Sequence, residues 1–166
     1  MDNTKKPEPA GLGGWLVLVA IGITVSFFRL TTFLWTTYVP IFRDGAWEVL
    51  TTPGTEVYHP LWAPMLIMEI VVNLGFVVAQ LWLLALFFGR ARFFPKLYIG
   101  VALVNLGFIV LDAWLGTFLI TNEPMFDDDT AKELIRSIIS VSIWVPYMLL
   151  SVRVKNTFID RPAFAE

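Results

Sequence analysis

Four ionisable residues stand inside stretches that are otherwise apolar: Arg29, Glu69, Asp112 and Arg136. Each costs about 2.5–3.5 kcal/mol near the centre of a membrane helix on insertion scales, and such residues face a protein interior and pair there. Two are acids and two are bases, so together they are neutral. A carboxylate pair can in principle move protons, but the expected Arg neighbours suit it to holding a charged group instead. Polar residues repeat at helical spacing around the four. Ser26, Thr32 and Thr36 flank Arg29, and Asn73 is one turn below Glu69, with Gln80 three turns below. Asn105 is two turns from Asp112, and Ser140 is one turn from Arg136.

Four segments carry these residues, each long enough to cross a bilayer of about 20 helical residues. They run from about Gly14 to Tyr38, Leu61 to Phe88, Pro95 to Thr121 and Ala131 to Arg153. The 166 residues are 57% hydrophobic and 16% charged, where a soluble domain carries about 25% charge. A buried soluble core is excluded, because too little polar chain remains to cover it. The fold class expected is an all-α membrane protein with four transmembrane helices in one bundle over residues 11–156. Short tails at 1–10 and 157–166 flank it.

Basic residues orient the bundle. Lys5 and Lys6, then Arg90, Arg92 and Lys96, then Arg153, Lys155 and Arg161 all fall on one side. That side, with both termini, is expected to be cytoplasmic. The opposite side has Arg43 and Lys132 against Asp44, Glu48, Glu56, Glu123, Asp127, Asp128 and Asp129. The first apolar run is too long for a cleaved leader, and no small-residue cleavage site follows it before Arg29. The longest outer loop, from about Pro40 to Pro60, holds Trp47, Tyr58 and His59, with Trp62 just beyond and a short interfacial helix expected around Ala46 to Thr51. The acidic run before the fourth segment reads as helix capping rather than as a calcium site, which needs six or more oxygens.

At about 1.5 Å per residue, Arg29, Glu69 and Asp112 lie roughly 12–13 Å from the outer end of their helices, and Arg136 roughly 7 Å. All four therefore fall in the outer half, one on each helix, as an expected charge cluster. Asn73 and Asn105 share its helical faces and belong to the same candidate ligand site. They also sit in a repeated peptide, VNLGF, at Val72–Phe76 and Val104–Phe108. Its Gly75 and Gly107 predict close helix approach, with the two asparagines bonding across it. Pro146 predicts a bend in the fourth helix.

Both ends of the chain carry recognisable motifs: GLGGWLVLVAIGI opens the first helix and WVPYMLLSVRVKNTFI closes the last. With the acidic residue and asparagine of the second helix and the loop FFGRARFFPK, this pattern resembles the bacterial inner-membrane family known as domain of unknown function 2569. The resemblance spans about Gly11 to Ile159. It implies a small four-helix protein of the bacterial inner membrane and no reaction.

Chemistry-bearing motifs are otherwise absent. No Cys, HExxH, GxSxG or Walker loop occurs, and His59 stands alone. An enzyme is therefore not expected, nor a metal or other cofactor. A net charge of −2 gives no signal for nucleic acid. The expected role is a non-catalytic binding or accessory protein. Its outer charged pocket would receive a lipid headgroup, a small solute or a partner helix, with membrane lipids, another membrane protein or further copies of the chain as partners. The alternative is an oligomeric transporter for a small solute or ion, suggested by the polar stripe through Asn73, Asn105 and Gln80.

Overall fold

The structure is a computed structural model that describes residues 10–119 and 124–159. Lys5, Lys6, Glu123 and Arg161, used above to orient the chain, lie outside the described residues. Six helices follow one another: α1 (Trp15–Arg43), α2 (Ala46–Thr51), α3 (Trp62–Phe88), α4 (Phe94–Gly116), α5 (Asp128–Leu150) and α6 (Val152–Thr157). No strand occurs among the described residues. Four of the helices, α1, α3, α4 and α5, are long and apolar enough to cross a membrane. At most 17% of the most apolar stretch of any of them is buried. In water such an exposed apolar surface would be untenable; in lipid it is the ordinary outer face.

The helix ends differ from the sequence expectation in four places. α1 runs five residues past Tyr38, straight through Pro40. Proline removes only the bond to the Thr36 carbonyl, a loss spanning helices tolerate. α4 stops at Gly116, and the chain tightens to Leu119 through bonds of three-residue span. α5 starts three residues early because Asp127 caps it, accepting the Thr130 N–H at 2.8 Å. It also ends early: Ser151 turns to extended geometry and caps α6, so the single helix expected to Arg153 is two. The short helix expected around Ala46 to Thr51 is α2.

Consecutive long helices run antiparallel, so the molecule has two ends. One end holds the first and last described residues, the α3–α4 turn and α6. The other, the distal end, holds α2 and the α4–α5 connection. α1 packs along α3, α3 against α4, and α4 along α5, while α1 and α5 do not pack along their length.

The terminal end is closed by apolar side chains from every long helix. Leu16, Val19 and Ile23 of α1 meet Leu83 and Phe87 of α3, Phe94 of α4, Met148 of α5, and Val154 and Phe158 in and after α6. Phe94 is stacked on Phe158 with ring centroids 4.6 Å apart, and Phe87 sits edge-on to Phe94 at 5.2 Å. Trp15 meets Trp144 at 6.4 Å, which joins α1 to α5 at this end.

A glycine strap ties the chain start across α6. The Gly11 N–H donates to Thr157 Oγ1 at 2.9 Å, and that hydroxyl donates to the Arg153 carbonyl at 2.6 Å. Arg153 in turn donates to the Ala10 carbonyl at 3.3 Å. The guanidinium lies on Gly13 and Gly14, where an added Cβ would come within 3.1 Å of it at Gly13. Gly14 has a φ of +60°, a conformation L side chains rarely take. The two terminal motifs of the sequence are thus partners in space.

Candidate functional site

Above the apolar floor the four helices enclose polar side chains around two adjoining cavities. The distal cavity, about 250 Å³, is lined among others by Tyr38, Glu69, Asp112 and Thr130. The lower cavity, about 270 Å³, is lined by Ser26, Gln80, Arg136 and Ser140. Arg29, Asn73, Asn105 and Glu133 line both. All six candidate ligand residues therefore border cavity space, but the charges are not paired as one cluster.

Arg29 bonds Glu133 at 3.2 Å across the gap between α1 and α5, rather than Glu69 or Asp112. Both side chains are about half exposed, at 57% and 48%. Glu69 accepts the Tyr38 hydroxyl at 2.9 Å, and the Asp112 carboxyl lines the same cavity. Asp112 Oδ1 is buried without a hydrogen-bond partner among the described residues, and so is Gln80 Oε1. Arg136 has no hydrogen bond or ion pair among the described residues and borders the lower cavity.

The geometry explains the regrouping. α1 extends further toward the distal end than expected, which lowers Arg29 relative to its helix end by about 8 Å. Tyr38 then reaches Glu69 in place of an arginine. Glu133, in the second turn of α5, faces Arg29 across the gap. Sequence reasoning passed over both residues. The signal for Glu133 was its position one turn before Arg136; the signal for Tyr38 was a phenol at the end of an apolar run.

Other expectations shift as well. Thr36 turns its hydroxyl back to the Thr32 carbonyl at 2.9 Å and leaves the cavity alone. Asn73 donates to the Glu69 carbonyl at 2.9 Å, within its own helix. Gly75 and Gly107 meet nothing that an added Cβ would touch, so the close approach predicted for the repeated peptide does not occur there. Its phenylalanines make the contact instead, Phe76 edge-on to Phe108 at 6.1 Å. His59 accepts the Leu61 N–H at 3.3 Å in the loop before α3. Among the described residues no group of three or more His, Cys, Asp or Glu side chains is placed to hold a metal.

Along the axis from the distal end, the lining runs from acidic, through mixed, to basic, then to apolar. Glu69 and Asp112 come first, Arg29 with Glu133 next, and Arg136 below. Ile23, Leu83, Val101 and Trp144 follow toward the sealed end. Such a gradient can hold a group that carries both charges and an apolar part.

The fold and this interior define a multi-pass helical membrane protein with a charged internal cavity. The family model described as "Protein of unknown function (DUF2569)" matches residues 9–159, and the chain belongs to that family. No curated protein matches the chain, and no solved structure does.

Proposed function

We propose that the protein is a non-catalytic binding or accessory protein of the bacterial inner membrane whose cavity receives a small group bearing both negative and positive charge. The observation that carries this reading is the cavity itself, lined by charge from all four spanning helices. Arg136 stands there without a partner, and Asp112 carries an unsatisfied oxygen. A purely structural ion network would pair its members, whereas Arg136 is an unpaired charge exposed on a membrane-spanning helix and Asp112 Oδ1 is buried and unsatisfied, and each is costly there. Arg29 and Arg136 hold the anionic part, and Glu69 and Asp112 meet the cationic part. With the basic terminal end in the cytoplasm, the cavity lies toward the outer face.

The transporter reading gains no support from the same geometry. Its polar stripe ends at Gln80, and the apolar core of Leu16, Phe87, Phe94 and Phe158 closes the path below.

Native mass spectrometry of the purified protein, with released small molecules and lipids identified, tests the reading. A bound species present in wild type and lost in Arg29→Ala is the expected result. Wild type that retains nothing, with a variant that merely falls apart, would assign the charges to structure alone.

A further inference from the structure

Resting on the binding role above, the polarity of the cavity and its one open seam name the ligand more closely. We propose that the occupant is a membrane-resident aminophospholipid, admitted sideways from the bilayer between α1 and α5. Its amine sits at the acidic tier and its phosphate at the arginines.

The first argument is order along the axis. In such a lipid the amine is outermost, the phosphate lies below it, and the acyl chains follow. The lining repeats that order: Glu69 and Asp112 distal, Arg29 with its partner Glu133 and then Arg136 below, then the apolar Ile23, Leu83, Val101 and Trp144. Matching charge to charge at each level supplies a partner to Arg136 and to the buried, unsatisfied Asp112 Oδ1. A lipid with phosphate but no amine would leave the carboxyl tier empty. A free zwitterion would leave the apolar floor empty.

The second argument is the seam. Of the four neighbouring helix pairs, α1–α3 and α4–α5 pack along their length, α3–α4 packs less extensively, and α1–α5 packs least. It is joined by Trp15 against Trp144 at the terminal end and by the Arg29–Glu133 ion pair higher up. Those charged side chains are half exposed within spanning helices, so the seam is polar inside. It is flanked by apolar surface outside, with Val25 and Phe28 on α1 and Ile135 and Ile139 on α5 all more than half exposed. A polar interior reached through an apolar rim suits a headgroup that slips in while its chains stay in the bilayer. The Arg29–Glu133 pair bridges the seam and must part, or exchange partners with the phosphate, for a headgroup to pass.

The test uses the absence of cysteine in the chain. Protein in detergent is equilibrated with mixed micelles of phosphatidylethanolamine, phosphatidylglycerol and phosphatidylcholine, and bound lipid is read by native mass spectrometry. The expected result is preferential retention of phosphatidylethanolamine over phosphatidylglycerol by about tenfold. Glu69→Gln with Asp112→Asn should abolish that preference while phosphatidylglycerol retention persists. This ratio stays readable even if total binding falls. Separately, Ser26→Cys with Ser137→Cys places thiols on either side of the seam. Joining them with a bifunctional maleimide should slow phosphatidylethanolamine exchange about tenfold relative to the same protein before linking, while soluble glycerophosphoethanolamine still binds. Equal retention of all lipids, or unchanged exchange after linking, would overturn the proposal. Binding of glycerophosphoethanolamine without any lipid would also overturn it and leave the cavity's binding role intact. If no probe binds wild type, the binding role itself fails.

Discussion

The terminal end and the distal half of this molecule are built from the same four helices and are held by different forces. At the terminal end Phe94 and Leu16 are fully buried, aromatic rings interlock, and backbone groups of the glycine strap are hydrogen-bonded. In the distal half the helices stand around cavities with polar linings, beside a smaller apolar group in which Tyr38, Met65 and Leu66 are buried. Lipid tails are as apolar as leucine, so apolar side chains gain little there merely by leaving lipid. Close packing and satisfied backbone bonds must hold the sealed end, and the open half can exist because that end fixes the helices. The lesson is a division of labour: stability sits at one end, and room for a ligand sits at the other.

The largest break in this division should come from Phe94→Ala. The ring is wholly buried and stacked on Phe158, so its loss should cost about 3–5 kcal/mol. Equilibrium unfolding in detergent, by far-UV circular dichroism with a denaturant, measures it. A cost under about 1 kcal/mol would show that the core is not what holds the helices.

Gly14→Ala should rank next. It forces a Cβ into a φ of +60° beside the Arg153 guanidinium, at about 1–3 kcal/mol. The added Cβ would sit in ordinary contact with Arg153, so Arg153→Ala in a double variant should not recover the loss. Full recovery would make the contact, not the conformation, the cause.

Thr157→Val removes the hydroxyl that accepts from Gly11, and should cost about 1 kcal/mol. Hydrogen exchange at the Gly11 amide should quicken in that variant.

Glu133→Gln sharpens the contrast from the other side. Its partner is more than a third exposed, as it is itself, so stability should change by about 0–1 kcal/mol. Ligand retention should change far more than stability. The reverse pattern would place Glu133 with the structural residues.

The smallest effect belongs to Asp127. The Thr130 hydroxyl and the Thr130 N–H that it caps hold its carboxyl below the usual range. A depressed acid contributes stability above its unfolded value of about 4, and that contribution fades as pH falls through the lower folded value. Asp127→Ala should therefore lower the unfolding midpoint slightly at neutral pH and make no difference in strong acid.

Much of this was legible in the chain. Four apolar runs of spanning length dictate four helices, because a backbone in hydrocarbon must satisfy its own hydrogen bonds. The acidic run before α5 announced a cap, and Asp127 is that cap. Arg29, Glu69, Asp112, Arg136, Asn73 and Asn105 could be picked out because polar residues in such runs must face inward, and all six border the cavities. The pairing among them was not legible. It depends on axial register, and α1 running past Pro40 moves that register by more than one turn. The glycine-rich opening and the closing motif were each visible, but nothing local tells Gly13 that Arg153 lies above it.

The sequence by itself determined the number of spanning helices, their polar faces and their capping, since these follow from periodicity and solvent along a single segment. Only the tertiary structure decided that Arg29 meets Glu133, that Tyr38 meets Glu69, that α1 and α5 part above a sealed floor, and that Gly11 is clasped to Thr157. Those are contacts between residues distant in sequence, and their geometry is set by how far each helix extends and slides against its neighbours, which no local pattern encodes.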